Sequence, residues 1–531
     1  MTTVRGTARQ AALCTVAAAT VLAGAPTLVG AASTLTWGKC TSDTLVEAGA
    51  ECAVVEVPLD HNRPGARQIP IAISRIKATA SGADYLGPLL SNPGGPGASG
   101  LTDSVDMAAL LTPEVAGRFD LIGFDPRGVG ESGPELHCDP AYYQRPAPDY
   151  LPPDPARISG SEQVRLDQAR AYVKACTAKS GDALAHMRTI DAARDLDLIR
   201  AALGAAKLSY VGNSYGTYLG EIYASTFPTR VDRMVLTGVV PPFGAGYTGD
   251  VSRPEVARAY ERNIQAFFAW VAQYNAVFNL GASTDAVEQR FYADQNALRK
   301  EPQGNIGPAE WTQLFGTVIY GDENWPIIAQ GWSAWDAGRT ALFDSAFAGY
   351  SSEEADVFNS SYLAIACSDG TWPRKYDKLR TDSLRTAKDA PYITWVFHWE
   401  LSALCSTWPS TAPTVKVGAA VPSVLLVNAS NDAPTPFADA LLTRAAFPRS
   451  ALIEVTGSLR HAGRALWGNR CVQSPVERYL VTGELPARAA QGPDLQCAGL
   501  PLPGYPEIAL AVVGETAAPV LPLLDLIFAP R

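Results

Sequence analysis

Ser214 has the most informative setting of any residue in this 531-residue chain. It is the centre of Gly212-Asn213-Ser214-Tyr215-Gly216. Leu208-Ser209-Tyr210-Val211 before it reads as a short buried strand, and the stretch from Thr217 to Ala224 after it reads as a helix. A G-x-S-x-G pentapeptide at a strand-to-helix turn is a nucleophile elbow. The turn is so tight that side chains at its two Gly positions would clash. It lifts the Ser hydroxyl above the sheet and aims a helix N-terminus at the reacting carbonyl. The chemistry implied is nucleophilic attack followed by an acyl-enzyme.

A Ser hydroxyl is a poor nucleophile until a base takes its proton, and the base needs an acid to orient it. In α/β-hydrolase folds the chain order is Ser, then acid, then His. The strand-like Ser423-Val424-Leu425-Leu426-Val427 is followed at once by Asn428-Ala429-Ser430-Asn431-Asp432. The strand-like Ala451-Leu452-Ile453-Glu454-Val455 is followed by Gly457-Ser458-Leu459-Arg460-His461. Asp432 and His461 are therefore the expected acid and base. Asp439 is the rival acid, but it falls inside the following helix. His398 stands among Trp395, Phe397 and Trp399 and reads as a packed residue. His61, His137 and His186 precede the elbow and fit structural roles.

The tetrahedral oxyanion needs two backbone N–H donors. One is expected from Tyr215, directly after the nucleophile. The other is expected from the turn Asn92-Pro93-Gly94-Gly95-Pro96-Gly97. Pro93 and Pro96 have no N–H, which leaves Gly94 or Gly95, and Gly95 is preferred. The turn lacks the Gly-Lys-Ser/Thr ending of a phosphate loop.

These residues need a scaffold of strand ends. Strand patterns run over Cys52–Leu59, Gln68–Ile76, Gly87–Ser91 and Phe119–Phe124. Helical patterns run over Val105–Leu111 and Thr189–Leu203. Strands alternating with helices predict a parallel α/β sheet. The stretch Arg145–Pro155 is Pro-rich and reads as a surface loop. From about Pro241 to Pro409 the alternation stops, and Trp, Tyr and Phe become frequent. Helical periodicity near Tyr260–Tyr274 and Thr284–Leu298 predicts a mostly helical lid inserted after the nucleophile half. The expected organisation is a hydrolase domain in two parts, 32–240 and 411–531, with the lid at 241–410.

Apolar content is 47% and charged content 18%, ordinary for a chain with a large core. The net charge of −10 argues against nucleic acid and anionic membrane as partners. Arg5 and Arg9 precede an apolar run from about Ala11 to Val29, and Gly30, Ala31 and Ala32 suit cleavage. Residues 1–31 therefore read as a signal peptide and the mature chain as secreted. Eight cysteines follow it: Cys40, Cys52, Cys138, Cys176, Cys367, Cys405, Cys471 and Cys497. An even number in an exported chain implies disulfides. Sequential pairing is expected, because each pair then closes a local loop. There is no C-x-x-C and the five His are scattered, so neither a metal nor another cofactor is expected.

The same residues resemble the proline iminopeptidase/tripeptidyl aminopeptidase family of serine peptidases, in particular the secreted actinobacterial tripeptidyl aminopeptidases. Pro93-Gly94-Gly95-Pro96-Gly97 is similar to the family's H-G-G-P-G turn, with Pro in place of His. Asp125-Pro126-Arg127-Gly128-Val129-Gly130-Glu131-Ser132 is similar to its D-x-R-G-x-G-x-S motif. Asp432-Ala433-Pro434-Thr435-Pro436 is similar to its D-x-x-T-P acid motif. Cys52 with Val57-Pro58-Leu59-Asp60, and Cys471 with Cys497, match its two ends. Arg460-His461-Ala462-Gly463 departs from the more usual G-H-G. The resemblance implies release of short peptides from a free N-terminus, sometimes beside Pro. A monomer is expected. Such an enzyme needs an anion in the lid to hold the substrate ammonium at a fixed distance from Ser214. Asp369 and Glu323 are the leading candidates, with Asp322 beside them. An esterase or lipase on the same three residues is the rival reading, and a catalytically dead binding protein is a third. Asp-nucleophile hydrolases are disfavoured because Ser214 holds the elbow.

Overall fold

The computed structural model describes residues 35–143, 146–147, 160–244, 253–348, 353–412, 415–418, 421 and 423–504. The expected signal peptide and most of the Pro-rich stretch 145–155 lie outside the described residues. Ten strands form one sheet. They are β1 (Gly38–Lys39), β2 (Glu51–Pro58), β3 (Gln68–Ile76), β4 (Pro88–Asn92), β5 (Asp120–Phe124), β6 (Leu208–Asn213), β7 (Val231–Thr237), β8 (Val424–Ala429), β9 (Ser450–Thr456) and β10 (Leu495–Ala498). Their order is β1-β2-β3-β5-β4-β6-β7-β8-β9-β10. From β5 to β10 every pairing is parallel, as the alternation of strands and helices predicts. β1, β2 and β3 pair antiparallel, and β3 joins β5 antiparallel. The sheet is thus mixed. Only residues 59–67 link β2 to β3, too few for the crossover that a parallel pair needs.

The central strands are apolar on both faces because helices cover both. Leu90, Tyr210, Leu236, Leu426 and Leu452 join one core with the helices Thr189–Ala202 and Tyr215–Thr226. Leu89, Val211, Val235, Leu425 and Ala451 join the other with Asp103–Leu110 and Arg470–Thr482. This alternation along each strand is the two-residue period of a pleated sheet. The four disulfides are Cys40–Cys52, Cys138–Cys176, Cys367–Cys405 and Cys471–Cys497, the sequential pairing. Among the described residues no helix is long and apolar enough to cross a membrane.

Between β7 and β8 the described regular elements are helices, apart from isolated bridges. They divide between two cores. Helices Pro254–Gln273, Thr284–Lys300, Pro308–Leu314 and Trp325–Asp336 enclose an aromatic cluster of Phe267, Phe291, Trp311, Phe315 and Trp332. Phe291 meets Phe315 edge-on at 5.0 Å between centroids. Helices Glu353–Ser368 and Trp399–Ser406, joined by Cys367–Cys405, pack instead into the sheet's own core through residues such as Ile365 and Leu404.

His398 lies in the π-helical turn Thr394–His398 and is 1% exposed. Neither ring nitrogen has a hydrogen-bond partner among the described residues. Burial pushes its pKa down from 6.5 to about 4. The unfolded chain therefore takes up a proton below pH 6.5 that the folded chain refuses until about pH 4. The ionisation of His398 costs the fold nothing above that window and progressively more as pH falls through it. At pH 4 the cost reaches about 3 kcal/mol. Thermal unfolding of His398→Phe at pH 7 and pH 4 is expected to show a smaller acid loss of Tm than wild type.

Candidate active site

β6 ends at Asn213 and the next helix begins at Tyr215, leaving Ser214 at φ 53° and ψ −124°. A non-glycine residue there is strained and persists only where its surroundings fix it. Ser214 N–H donates to Thr237 O at 2.9 Å, and Thr217 Oγ1 donates to Ser214 O at 2.6 Å. Both elbow glycines are sterically required. A Cβ at Gly212 would stand 2.4 Å from Gly216 O, and one at Gly216 would stand 2.6 Å from Asn92 O. The Gly-rich turn after β4 presses on the elbow so closely that a Cβ at Gly94 would lie 2.9 Å from Ser214 Cβ. Gly94 N–H is already bonded to Asn92 Oδ1 at 3.2 Å. Gly95 N–H has no partner among the described residues. Tyr215 N–H, in the first helical turn, has no intrahelical acceptor.

Asp432 follows β8 and is wholly buried; His461 follows β9. His461 Nδ1 lies 2.9 Å from both Asp432 oxygens and 3.2 Å from Thr435 Oγ1. Thr435 N–H donates to Asp432 Oδ1 at 3.0 Å, holding the carboxylate from the other side. A hydrogen on Nδ1 bonded to the carboxylate leaves Nε2 as an acceptor. Nε2 is buried and has no partner among the described residues. The loop carrying His461 is tied to the elbow through Thr237. Gly463 N–H donates to Thr237 Oγ1 at 2.8 Å, and Thr237 Oγ1 donates to Asn213 Oδ1 at 2.5 Å. A Cβ at Gly238 would lie 3.0 Å from His461 Cε1, which explains a bare residue at the end of β7. The rival Asp439 lies in helix Phe437–Ala446 and is forked by Arg253.

The lid carboxylates are less free than a sequence suggests. Asp369 is 7% exposed and accepts from Thr189 N–H at 3.1 Å and from Thr189 Oγ1. It thereby caps helix Thr189–Ala202, and Thr189 Oγ1 lies 2.5 Å from Tyr215 Oη. Burial pushes the Asp369 carboxyl up to about 6 against the pull of the Thr189 bonds. Asp322 is buried and paired with Arg460 at 2.7 Å. Glu323 approaches Arg460 Nε at 3.5 Å, with 41% of its side chain exposed.

Asp125 and Arg127 brace the floor. Asp125 accepts from Ser99 Oγ, Gly100 N–H and Glu131 N–H at 2.7, 2.8 and 2.8 Å. Arg127 forks Asp195 at 2.7 Å on both arms and caps the carbonyls of Leu59 and His186. Among the described residues no group of three or more His, Cys, Asp or Glu side chains could hold a metal ion. Sequence reasoning missed Thr237 and Tyr320, whose carbonyl accepts His461 N–H at 2.8 Å. Thr237 had a signal, since sites in such sheets gather at carboxyl ends of strands. Tyr320, in the lid, had none.

A mostly parallel sheet with a strained Ser between β6 and its helix, and an Asp–His pair beyond β8 and β9, defines a serine hydrolase of the α/β-hydrolase class. Residues 87–331 match the family described as alpha/beta hydrolase fold, and residues 390–497 match the family described as TAP-like protein. Tripeptidyl aminopeptidase of Streptomyces lividans is 36% identical over 483 residues, covering 87% of this chain and 86% of the relative. The chain belongs to the tripeptidyl aminopeptidase family. Serine protease Hip1 of Mycobacterium tuberculosis is 29% identical over 490 residues, covering 86% of this chain and 90% of the relative. Carboxylesterase B of the same organism is 31% identical over 485 residues, covering 85% and 88%.

Proposed function

We propose that the protein is a secreted serine exopeptidase that releases short peptides, tripeptides foremost, from substrates with a free N-terminus. The observation that carries the chemistry is the buried Nε2, without a partner among the described residues, of a histidine whose Nδ1 is held by Asp432. In the proposed reaction His461 Nε2 takes the proton of Ser214 Oγ as that oxygen attacks the scissile carbonyl. Gly95 and Tyr215 N–H groups hold the oxyanion. His461 then passes the proton to the leaving amine. Water, deprotonated by His461, releases the N-terminal peptide from Ser214.

Relatives named tripeptidyl aminopeptidase support peptides as the substrate. For release of three residues the amine anchor stands about 10 Å from Ser214 Oγ, the span of three extended residues. Glu323 is proposed as that anchor, since part of its side chain reaches solvent. Asp369 is the second candidate, acting behind Tyr215. The proposed organisation is 32–240 and 411–531 for the hydrolase and 241–410 for the lid. The four disulfides and the signal-like residues 1–31 support export, and a monomer is proposed.

The test uses one chromogenic tripeptide ending in Pro, with a free and with an acetylated N-terminus. Cleavage of the free form alone is expected. Cleavage of both would make the enzyme an endopeptidase. A relative named carboxylesterase B favours the second reading, a carboxylesterase on the same residues. Turnover of simple esters with neither peptide cleaved would select it.

A further inference from the structure

The loop carrying His461 is gripped from two sides. On the sheet side Thr237 holds Gly463. On the lid side it is held by the segment from Ile319 to Glu323. Tyr320 O accepts His461 N–H at 2.8 Å. The Tyr320 ring meets the imidazole edge-on, with centroids 5.5 Å apart. Arg460 forks Asp322, Nε to Oδ1 at 2.7 Å and Nη2 to Oδ2 at 3.2 Å. The acid loop is gripped likewise. Asn263 Nδ2 bonds Ile319 O at 3.0 Å and Asn431 O at 3.2 Å. Ala433, next to Asp432, is buried in the lid's aromatic core, and Leu459 packs against it. Both members of the Asp–His pair are thus flanked by residues anchored in the lid.

We propose that Arg460 and Asp322 form a latch through which the lid positions His461. Arg460 is a positioning residue, and the lid takes part in proton transfer besides covering the substrate. This rests on the reading of Ser214, His461 and Asp432 as nucleophile, base and acid. On the lid side the backbone hydrogen bond from His461 N–H to Tyr320 O is one fixed point for the loop. A bidentate guanidinium–carboxylate pair one residue earlier supplies a second fixed point. The loop needs one, because Ala462 sits at φ 47°. A non-glycine residue keeps that conformation only when its surroundings over-determine it. The pair is sheltered, with side chains 15% and 3% exposed, so solvent screens it little.

The test follows wild type, Arg460→Ala, Arg460→Lys, Asp322→Asn and the double variant Arg460→Ala/Asp322→Asn. The readouts are turnover of p-nitrophenyl acetate and of a free tripeptide, and the rate of fluorophosphonate labelling. Arg460→Ala is expected to lower kcat on both substrates, and the labelling rate, by about tenfold to a hundredfold, with KM for p-nitrophenyl acetate, which does not reach Glu323, unchanged. Arg460→Lys is expected to recover part of the loss. The double variant is expected to be no worse than Arg460→Ala. If Arg460→Ala fails to fold, Arg460→Lys is expected to fold with reduced kcat and carries the test. A change confined to KM of the tripeptide would overturn the latch, as would unchanged kcat. Wild type that is neither labelled nor active on either substrate would overturn the hydrolase reading, and the latch with it.

Discussion

Ser214→Ala is expected to lower kcat for peptide hydrolysis by about 10⁶-fold and to abolish fluorophosphonate labelling, with KM close to wild type. The substitution removes one oxygen. Cβ stays, so the elbow keeps its shape and the strain of φ 53°. No hydrogen bond of the fold is lost, because Ser214 is pinned by its backbone through Thr237 and Thr217. The oxyanion donors and the lid remain, so a residual rate about 10³–10⁴-fold above the uncatalysed reaction persists. Thermal unfolding separates the chemical from the conformational part. Ser214→Gly relieves the positive φ and is expected to be more stable than Ser214→Ala by about 1 kcal/mol, with the same kinetic loss. Activity in Ser214→Ala above that residual rate would move the nucleophile elsewhere.

The placement of Ser214, Asp432 and His461 at strand ends was legible in sequence for one reason. Each stands immediately beyond an apolar strand, and the chemistry admits few residue types there. The strand pattern over Gln68–Ile76 coincides with β3 because its alternation is a local property of a pleated strand. What failed to show was non-local. Helix Gly160–Ser180 turns charged residues inward: Glu162 and Arg165 are each 1% exposed. Their partners, Arg380 and Glu400, lie more than two hundred residues away, so the helix has no clean apolar stripe to read. The antiparallel arm is the same kind of case, since pairing direction depends on what the linker can span. Asp322 reads as a free lid carboxylate until Arg460, 138 residues on, is seen to occupy it. Asp369 gives no hint in sequence that it caps the helix beginning at Thr189. Motif chemistry is local and survives in the chain; counter-charges are set by the fold.

Asp432→Asn is expected to lower kcat by about 10⁴-fold while leaving the fold and KM nearly intact. The carboxylate takes a hydrogen from His461 Nδ1 at 2.9 Å on either oxygen, which leaves Nε2 bare to accept the Ser214 proton. The isosteric amide must still present an acceptor to Thr435 N–H, now 3.0 Å from Oδ1. That fixes its carbonyl on Thr435 and places its NH2 at the Oδ2 position, 2.9 Å from Nδ1. An NH2 group donates, so this contact favours an Nδ1 that accepts, with the ring hydrogen on Nε2, in competition with donation to the carbonyl oxygen. The base is then present in the wrong tautomer, with no lone pair facing Ser214. The loss should be nearly as large on a small ester as on a tripeptide, since the defect precedes any contact with the rest of the substrate. Because Ser214 and His461 act as a unit, Ser214→Ala/Asp432→Asn is expected to be no slower than Ser214→Ala alone. A further loss in the double variant would mean that Asp432 acts on catalysis other than through His461.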